Sequence, residues 1–270
     1  MRKQSVYQLL ALSVLFLSIV AVPELSAQTT PAPADQFHVV IRYLKVEPGM
    51  GEDFKKNMVV WKDVWQQRLD KGEIRYWRLF KRTFPSGANS EYDYITVTAY
   101  NDLANLEMHD SYGISDWAKG VSKENAAILE NSNKTRKIVN REVLRFNGTT
   151  EGGKPGKYLR VSGAEVKPGK FKEYRAALEK SNPIASEAVK SGKINNRSSW
   201  VRVGSNSADV SDLVVVFDHA TLKDALAEMN FEAEHKKVYP ADDIEAYWAN
   251  MRTLRDIVWS EVWERVDGTK

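Results

Sequence analysis

No cysteine occurs among the 270 residues. That absence excludes disulfides, thiolate metal sites, a cysteine nucleophile and a lipid-modified cysteine at an export cleavage site. Histidine is scarce as well. The four copies, His38, His109, His219 and His235, never fall three or four residues apart. HxxxH and HExxH spacings are therefore missing, and a metal site would need ligands converging from distant segments. There is no nucleophile elbow and no phosphate-cradling glycine loop. No charge of one sign dominates, since 39 Lys and Arg face 36 Asp and Glu. The basic residues are scattered, which excludes a dedicated nucleic-acid surface built on clustered cations. Beyond residue 30 no apolar run approaches the ~20 residues that span a bilayer.

What is present begins with a targeting pattern. Arg2 and Lys3 precede an apolar stretch from Leu9 to Val22, broken only by Ser13 and Ser18. Pro23 and Glu24 end it, and Leu25-Ser26-Ala27 offers a small residue for signal peptidase. The competing reading, a retained membrane anchor, suffers from the shortness of the run. Residues 1–27 are therefore expected to be a signal peptide cut after Ala27. Residues 28–36, with Pro31 and Pro33, read as a disordered lead-in. The mature chain is expected to be exported and soluble, in a periplasm or outside the cell, with no membrane contact after cleavage. It would depend on its core instead of disulfides.

The mature part repeats itself. Val46-Glu47-Pro48-Gly49 matches Val166-Lys167-Pro168-Gly169. At the same spacing Phe54 falls on Tyr174, Val64 on Ile184, Gly72 on Gly192 and Ile74 on Ile194. After a shift of one residue, Asp93–Val97 lies on Asp212–Val216, and Arg136, Ile138, Glu142 and Val143 lie on Arg255, Ile257, Glu261 and Val262. Each copy has the same grammar. An alternating strand (Val39, Ile41, Tyr43) is stopped by Pro48-Gly49, and an amphipathic helix is closed by Gly72. Two strands joined through Pro85, Gly87 and Asn89 follow, then a helical stretch broken near Gly113 and Gly120, then a last strand. The order β-α-β-β-α-β is ferredoxin-like. The spacing places one α+β unit at 37–147, a Gly- and Thr-rich linker at 148–156, and a second unit at 157–267. Each sheet has a second face too apolar for water, so the two sheets are expected to pack face to face as one pseudo-dimeric barrel. Duplication satisfies internally what a dimer would supply, so a monomer is expected.

The strand–Val-x-Pro-Gly–helix opening of each copy (Val46–Gly49, Val166–Gly169) and the β-α-β-β-α-β order resemble the dimeric α/β-barrel superfamily, over about residues 37–267. The resemblance implies a barrel of two ferredoxin-like units. Its relatives include cofactor-free monooxygenases of the antibiotic-biosynthesis type, stress-response barrels, and haem enzymes such as chlorite dismutase and dye-decolourising peroxidase. His109 and His235 lie in the helical segments where the haem enzymes place a proximal histidine. Neither has a haem-specific flanking pattern, so no cofactor is assigned.

Candidate site residues come from the face expected to point inward. Along the third strands that face is taken as Tyr94 and Tyr100 in the first unit, and Leu213, Val215 and Phe217 in the second, with His219 following in register. Glu142 and Glu261 share one repeat position, in line with Leu144, Phe146, Trp259 and Trp263. Two carboxylates among rings would repel each other and lose hydration, raising one toward the range of a general base. His219 or Glu261 would then accept a proton, while Tyr94, Tyr100, Phe217, Trp259 and Trp263 hold a small aromatic or apolar ligand. The opposing reading pairs the glutamates with arginines, Arg82 and Arg202 among them, for architecture alone. Trp61, Trp65, Trp117 and Trp248 are expected to pack helices, and Trp77 and Trp200 to join the pocket wall. A solid barrel acting through its outer surface, a cofactor-free monooxygenase-like enzyme and a haem protein stand as alternatives to a binding barrel.

Overall fold

The structure, a computed structural model, describes residues 37–87, 90–205 and 211–270. The expected signal peptide and lead-in lie outside the described residues. The first unit runs β1 (His38–Val46), α1 (Gly51–Asp70), β2 (Tyr76–Phe84), β3 (Tyr94–Tyr100), four short helices α2 (Leu103–Ser111), α3 (Ile114–Trp117), α4 (Lys123–Glu130) and α5 (Ser132–Thr135), and β4 (Arg136–Thr149). The second runs β5 (Tyr158–Val166), α6 (Phe171–Lys190), β6 (Asn196–Ser205), β7 (Leu213–His219), helices α7 (Leu222–Leu226), α8 (Glu232–Val238) and α9 (Ile244–Leu254), and β8 (Arg255–Gly268).

The repeated Pro-Gly pairs are turns that open helices. Met50 N–H donates to the Glu47 carbonyl at 3.0 Å, with Pro48 and Gly49 between them. Gly49 and Gly169 hold φ at 78° and 76°, the left-handed conformation that the third position of a type II turn requires. α1 then buries Phe54, Met58, Val64 and Trp65 on one stripe, and each such side chain is worth about 1.5–3 kcal/mol removed from water.

All eight strands join one closed antiparallel barrel in the order β1-β3-β2-β8-β5-β7-β6-β4. Within each unit this is the ferredoxin-like arrangement. The units meet at two seams, β2 with β8 and β4 with β6. Equivalent strands run in the same direction around the ring, so each end of the barrel draws equally on both copies. The β1–β4 ladder shifts register between Tyr43 and Leu44, and the β5–β8 ladder shifts between Gly163 and Ala164. The duplication thus extends to its irregularities.

Three apolar layers follow. The barrel interior holds Val39, Ile41, Ile95, Leu144, Val161, Val214, Val216 and Trp263. Outside it, the first unit's helices cover Val40, Leu44, Trp77, Leu79 and Tyr100, and the second unit's helices cover Ala164, Leu213 and Val215. This reverses the expected facing of β3 and β7. Ile95, Val97, Ala99, Val214, Val216 and Asp218 point inward, whereas Tyr94, Tyr100, Leu213, Val215 and Phe217 lie under the helices. Both faces of each sheet are buried, so alternation of apolar residues marks two faces without marking which one is inside.

Candidate functional site

One end of the barrel interior is sealed by charge. Arg202 of β6 pairs with Glu142 of β4 at 2.5 Å, and Arg82 of β2 pairs with Glu261 of β8 at 2.8 Å. Each pair bridges one seam and joins the two units. The Tyr43 hydroxyl donates to Glu142 at 3.2 Å. Tyr92 donates its hydroxyl to Glu261, and the Trp263 indole N–H does so at 2.7 Å. Burial, followed by the neighbouring glutamate, pushes both tyrosine hydroxyls well above their ordinary range. Glu142 and Glu261 face inward, but the repulsion expected to make one of them a base is answered by a guanidinium on each. The arginine-paired, architectural reading describes the geometry.

Past this plug the interior opens into a cavity of about 540 Å³. Ile41, Phe80, Phe146, Leu144, Trp200 and Trp263 are among its walls, and Arg75, Arg78, Arg265 and Asp218 are at its far end.

A second cavity, about 580 Å³, lies outside the barrel between the second unit's sheet and α6, α8 and α9. Its walls include Leu178, Ile184, Val215, Phe217, Trp248 and Met251. In the first unit tryptophan rings pack in the same place, and the repeat shows the difference. At the positions of Trp61 and Trp65 in α1, α6 carries Ser181 and Ala185; at the position of Trp77 in β2, β6 carries Arg197. In the first unit Trp65 and Trp117 pack with ring centroids 4.8 Å apart, Trp61 lies 6.4 Å from Trp65, and Trp77 is buried. In the second unit Ser181, Ala185 and Arg197 all line the cavity. Three indoles have become a hydroxyl, a methyl and a guanidinium.

The polar groups of this cavity are few. Arg197 is only 5% exposed, donates to the Asn182 side chain, and has no carboxylate partner among the described residues. Burial holds its guanidinium below its ordinary range. Arg255 reaches the Tyr174 hydroxyl, and its Nε is buried without a partner. Its counterpart Arg136 bonds Asn57, a residue replaced by Ala177 in the second unit. Burial pushes the Tyr174 hydroxyl up, and Arg255 pulls it back. Glu228, Glu232 and Glu245 are exposed and complete the outer rim. The interior therefore offers an apolar surface with a buried cation that lacks a counter-ion, a setting that rewards an acceptor or anionic group on a ligand.

The sequence-predicted residues separate into distinct places. Glu142, Glu261, Trp263, Trp200 and Trp259 belong to the barrel interior. Phe217 and Trp248 line the outer cavity. Tyr94 and Tyr100 are packed under the first unit's helices, and Trp77 joins them there instead of walling a pocket. His219 is 2% exposed at the end of β7, and both of its ring nitrogens lack partners. It lines neither cavity, and neither does Tyr94 nor Tyr100. Arg75, Arg78, Asp218, Arg265 and Arg197 were missed. The signal for Arg197 was present in the repeat as mismatches at otherwise well-aligned positions.

The placement of the histidines assigns no haem ligand, although both ring nitrogens of His235 are buried without hydrogen-bond partners among the described residues. His109 is held by Glu73 at 2.8 Å and ringed by Trp65, Tyr112 and Trp117. His235 is 1% exposed, packed 5.5 Å from Tyr247 and 5.8 Å from Tyr239. No histidine lines either cavity. Among the described residues no group of three His, Asp or Glu is placed to hold a metal ion.

No protein-family model matches the chain, and no curated protein matches it. Its fold, in contrast, matches solved structures over most of its length. A candidate monooxygenase of Fusobacterium nucleatum subsp. nucleatum gives a TM-score of 0.54 at 9% identity, covering 87% of this chain and 94% of that one. An anthrone oxidase-like protein gives 0.52 at 10% identity, covering 86% and 92%. A substituted chlorite dismutase of Candidatus Nitrospira defluvii gives 0.51 at 10% identity, covering 86% and 92%. The likeness is one of fold, that of the dimeric α/β barrels.

Proposed function

We propose that this chain, a dimeric α/β barrel closed within one polypeptide, is exported, cut after Ala27, and binds a small, largely apolar molecule in the cavity of its second unit. The observation that carries the reading is the replacement of Trp61, Trp65 and Trp77 by Ser181, Ala185 and Arg197 at equivalent positions. The first unit demonstrates that this fold closes when the space is filled with rings. The second keeps the fold and leaves about 580 Å³, within the ~300–1,000 Å³ common for small-molecule sites. Arg197 and Arg255 suit one acceptor on the ligand, such as a carboxylate, phenolate or quinone oxygen, while Phe217, Trp248 and Met251 cover its body.

Calorimetric titration with 1-naphthoate tests this. Wild-type protein is expected to bind, and Ala185→Trp, which borrows the first unit's own packing residue, to lose the binding step that belongs to this cavity while the circular dichroism is retained. Equal binding by the folded variant would place the ligand elsewhere.

A second reading is monooxygenase-like turnover in the same cavity, in line with the oxidase-like and monooxygenase names of two fold neighbours. A buried guanidinium without a counter-ion favours a phenol in its ionised, electron-rich form. The balanced reaction for a test compound is 1-naphthol plus oxygen giving 1,4-naphthoquinone plus water. Oxygen uptake that requires the protein and disappears in Ala185→Trp supports turnover; uptake no faster than in buffer restricts the protein to binding.

A further inference from the structure

The barrel interior carries a second feature that its own symmetry does not require. At the end opposite the ion-paired plug, Arg75, Arg78 and Arg265 converge on a cavity of about 540 Å³ with Asp218 as the one acidic group lining it. Arg265 reaches Asp218 at 3.3 Å. Arg75 and Arg78 have no carboxylate partner among the described residues. Arg78 donates instead to the carbonyls of Trp77 at 2.9 Å and Thr269 at 2.6 Å. Each guanidinium rests on a ring of the wall: Arg75 4.3 Å from the Phe37 centroid, Arg78 5.3 Å from Tyr76, and Arg265 5.7 Å from Phe80.

The duplication again supplies an internal control. In the other copy Arg75 corresponds to Asn195, Arg78 to Ser198 and Arg265 to Phe146. The barrel therefore closes around a neutral residue at each equivalent position, and closure does not explain the three cations. Nor does the plug, which spends its arginines on Glu142 and Glu261. Below the cations the walls are apolar, from Val39, Val97, Leu144, Val161 and Val216 to the indoles of Trp200 and Trp263. Arg75 is exposed, so this end of the cavity reaches the surface.

We propose that the open end of the barrel is a separate binding site for an organic anion, which places its apolar body among the rings and its carboxylate or sulfonate between Arg75, Arg78 and Arg265. Asp218 orients Arg265 and receives the Gly156 N–H at 2.9 Å, which fixes the linker over the rim. The site is independent of the second unit's outer cavity.

The experiment uses two dyes with the same ring system, 8-anilinonaphthalene-1-sulfonate and its neutral counterpart N-phenyl-1-naphthylamine. Both are titrated into the mature protein, with energy transfer from tryptophan as the readout. The expected result is that Arg75→Gln/Arg78→Gln weakens the sulfonate dye by about tenfold or more and the neutral dye by less than about twofold, while Ala185→Trp leaves both unchanged at this site. Circular dichroism confirms folding. Should the double variant fail to fold, Arg75→Gln alone serves, because that exposed guanidinium makes no side-chain hydrogen bond among the described residues. Unchanged sulfonate affinity, equal loss for both dyes, or loss only in Ala185→Trp would overturn the proposal.

Discussion

At the scale of single residues, the buried charges decide most. Arg82 and Arg202 neutralise Glu261 and Glu142 where water is excluded, so removing one partner leaves the other charged and dry. Arg82→Met is expected to cost about 3–5 kcal/mol in denaturant unfolding, and Arg82→Met/Glu261→Leu to cost less than the single change. His219 sets a different dependence. Burial holds its imidazole below the ordinary range, with Asp224 pulling it up and Arg160 pushing it down. The folded state therefore resists a proton that the unfolded chain accepts near pH ~6.5. Its contribution to stability is complete above that pH and is lost as the pH falls below it, at up to ~1.4 kcal/mol per pH unit for one proton. His109, lowered first by burial, acts in the same direction. His219→Phe should flatten the fall in stability between pH 7 and 5, measured by urea unfolding. An unchanged slope would assign the effect to other groups.

At the scale of elements, complementary changes on paired strands keep each layer filled. Tyr43 of β1 and Asn140 of β4 correspond to Gly163 of β5 and Trp259 of β8, so the large residue has changed strands. A Cβ on Gly163 would stand 2.2 Å from the Trp259 indole nitrogen. Gly163→Ala should therefore destabilise by about 1–3 kcal/mol, as unfolding midpoints would show. α6 offers the reverse experiment. Ser181→Trp/Ala185→Trp/Arg197→Trp rebuilds the first unit's packing in the second, and a raised melting temperature with no 1-naphthoate held in that cavity is the expected outcome.

The elements were legible in the sequence because turns and caps are local. Pro48-Gly49 and Gly72 need only their own backbone conformations, and each has a twin, Gly169 and Gly192, with φ within a few degrees of its own. The facing of β3 and β7 was not legible, since Tyr94 and Val215 find apolar cover under helices as readily as Ile95 and Val214 do inside the barrel. Glu142 and Glu261 were placed inward and Arg82 and Arg202 named among their partners, but which arginine meets which glutamate is set by the β4–β6 and β2–β8 seams, which only closure of the ring creates. The outer cavity was latent in the repeat: the positions that fail to match, Ser181, Ala185 and Arg197, are its walls.

At the scale of the whole molecule, the two units share one ring, and neither can lose its sheet without opening both seams. Calorimetry should therefore show a single transition whose van't Hoff and calorimetric enthalpies agree; two resolved transitions would mean that the units fold separately. The duplication has diverged at the outer cavity and the arginine-lined mouth, while the plug's two arginine–glutamate pairs have kept their pseudo-symmetry. The account locates function where the copies differ and architecture where they agree. Its most direct test is a crystal structure of the mature protein with 6-bromo-2-naphthoate, the bromine located by anomalous scattering. The account predicts bromine in the second unit's outer cavity, among Phe217, Trp248 and Met251, with the carboxylate on Arg197. An outer cavity left without bromine at saturating ligand would contradict it.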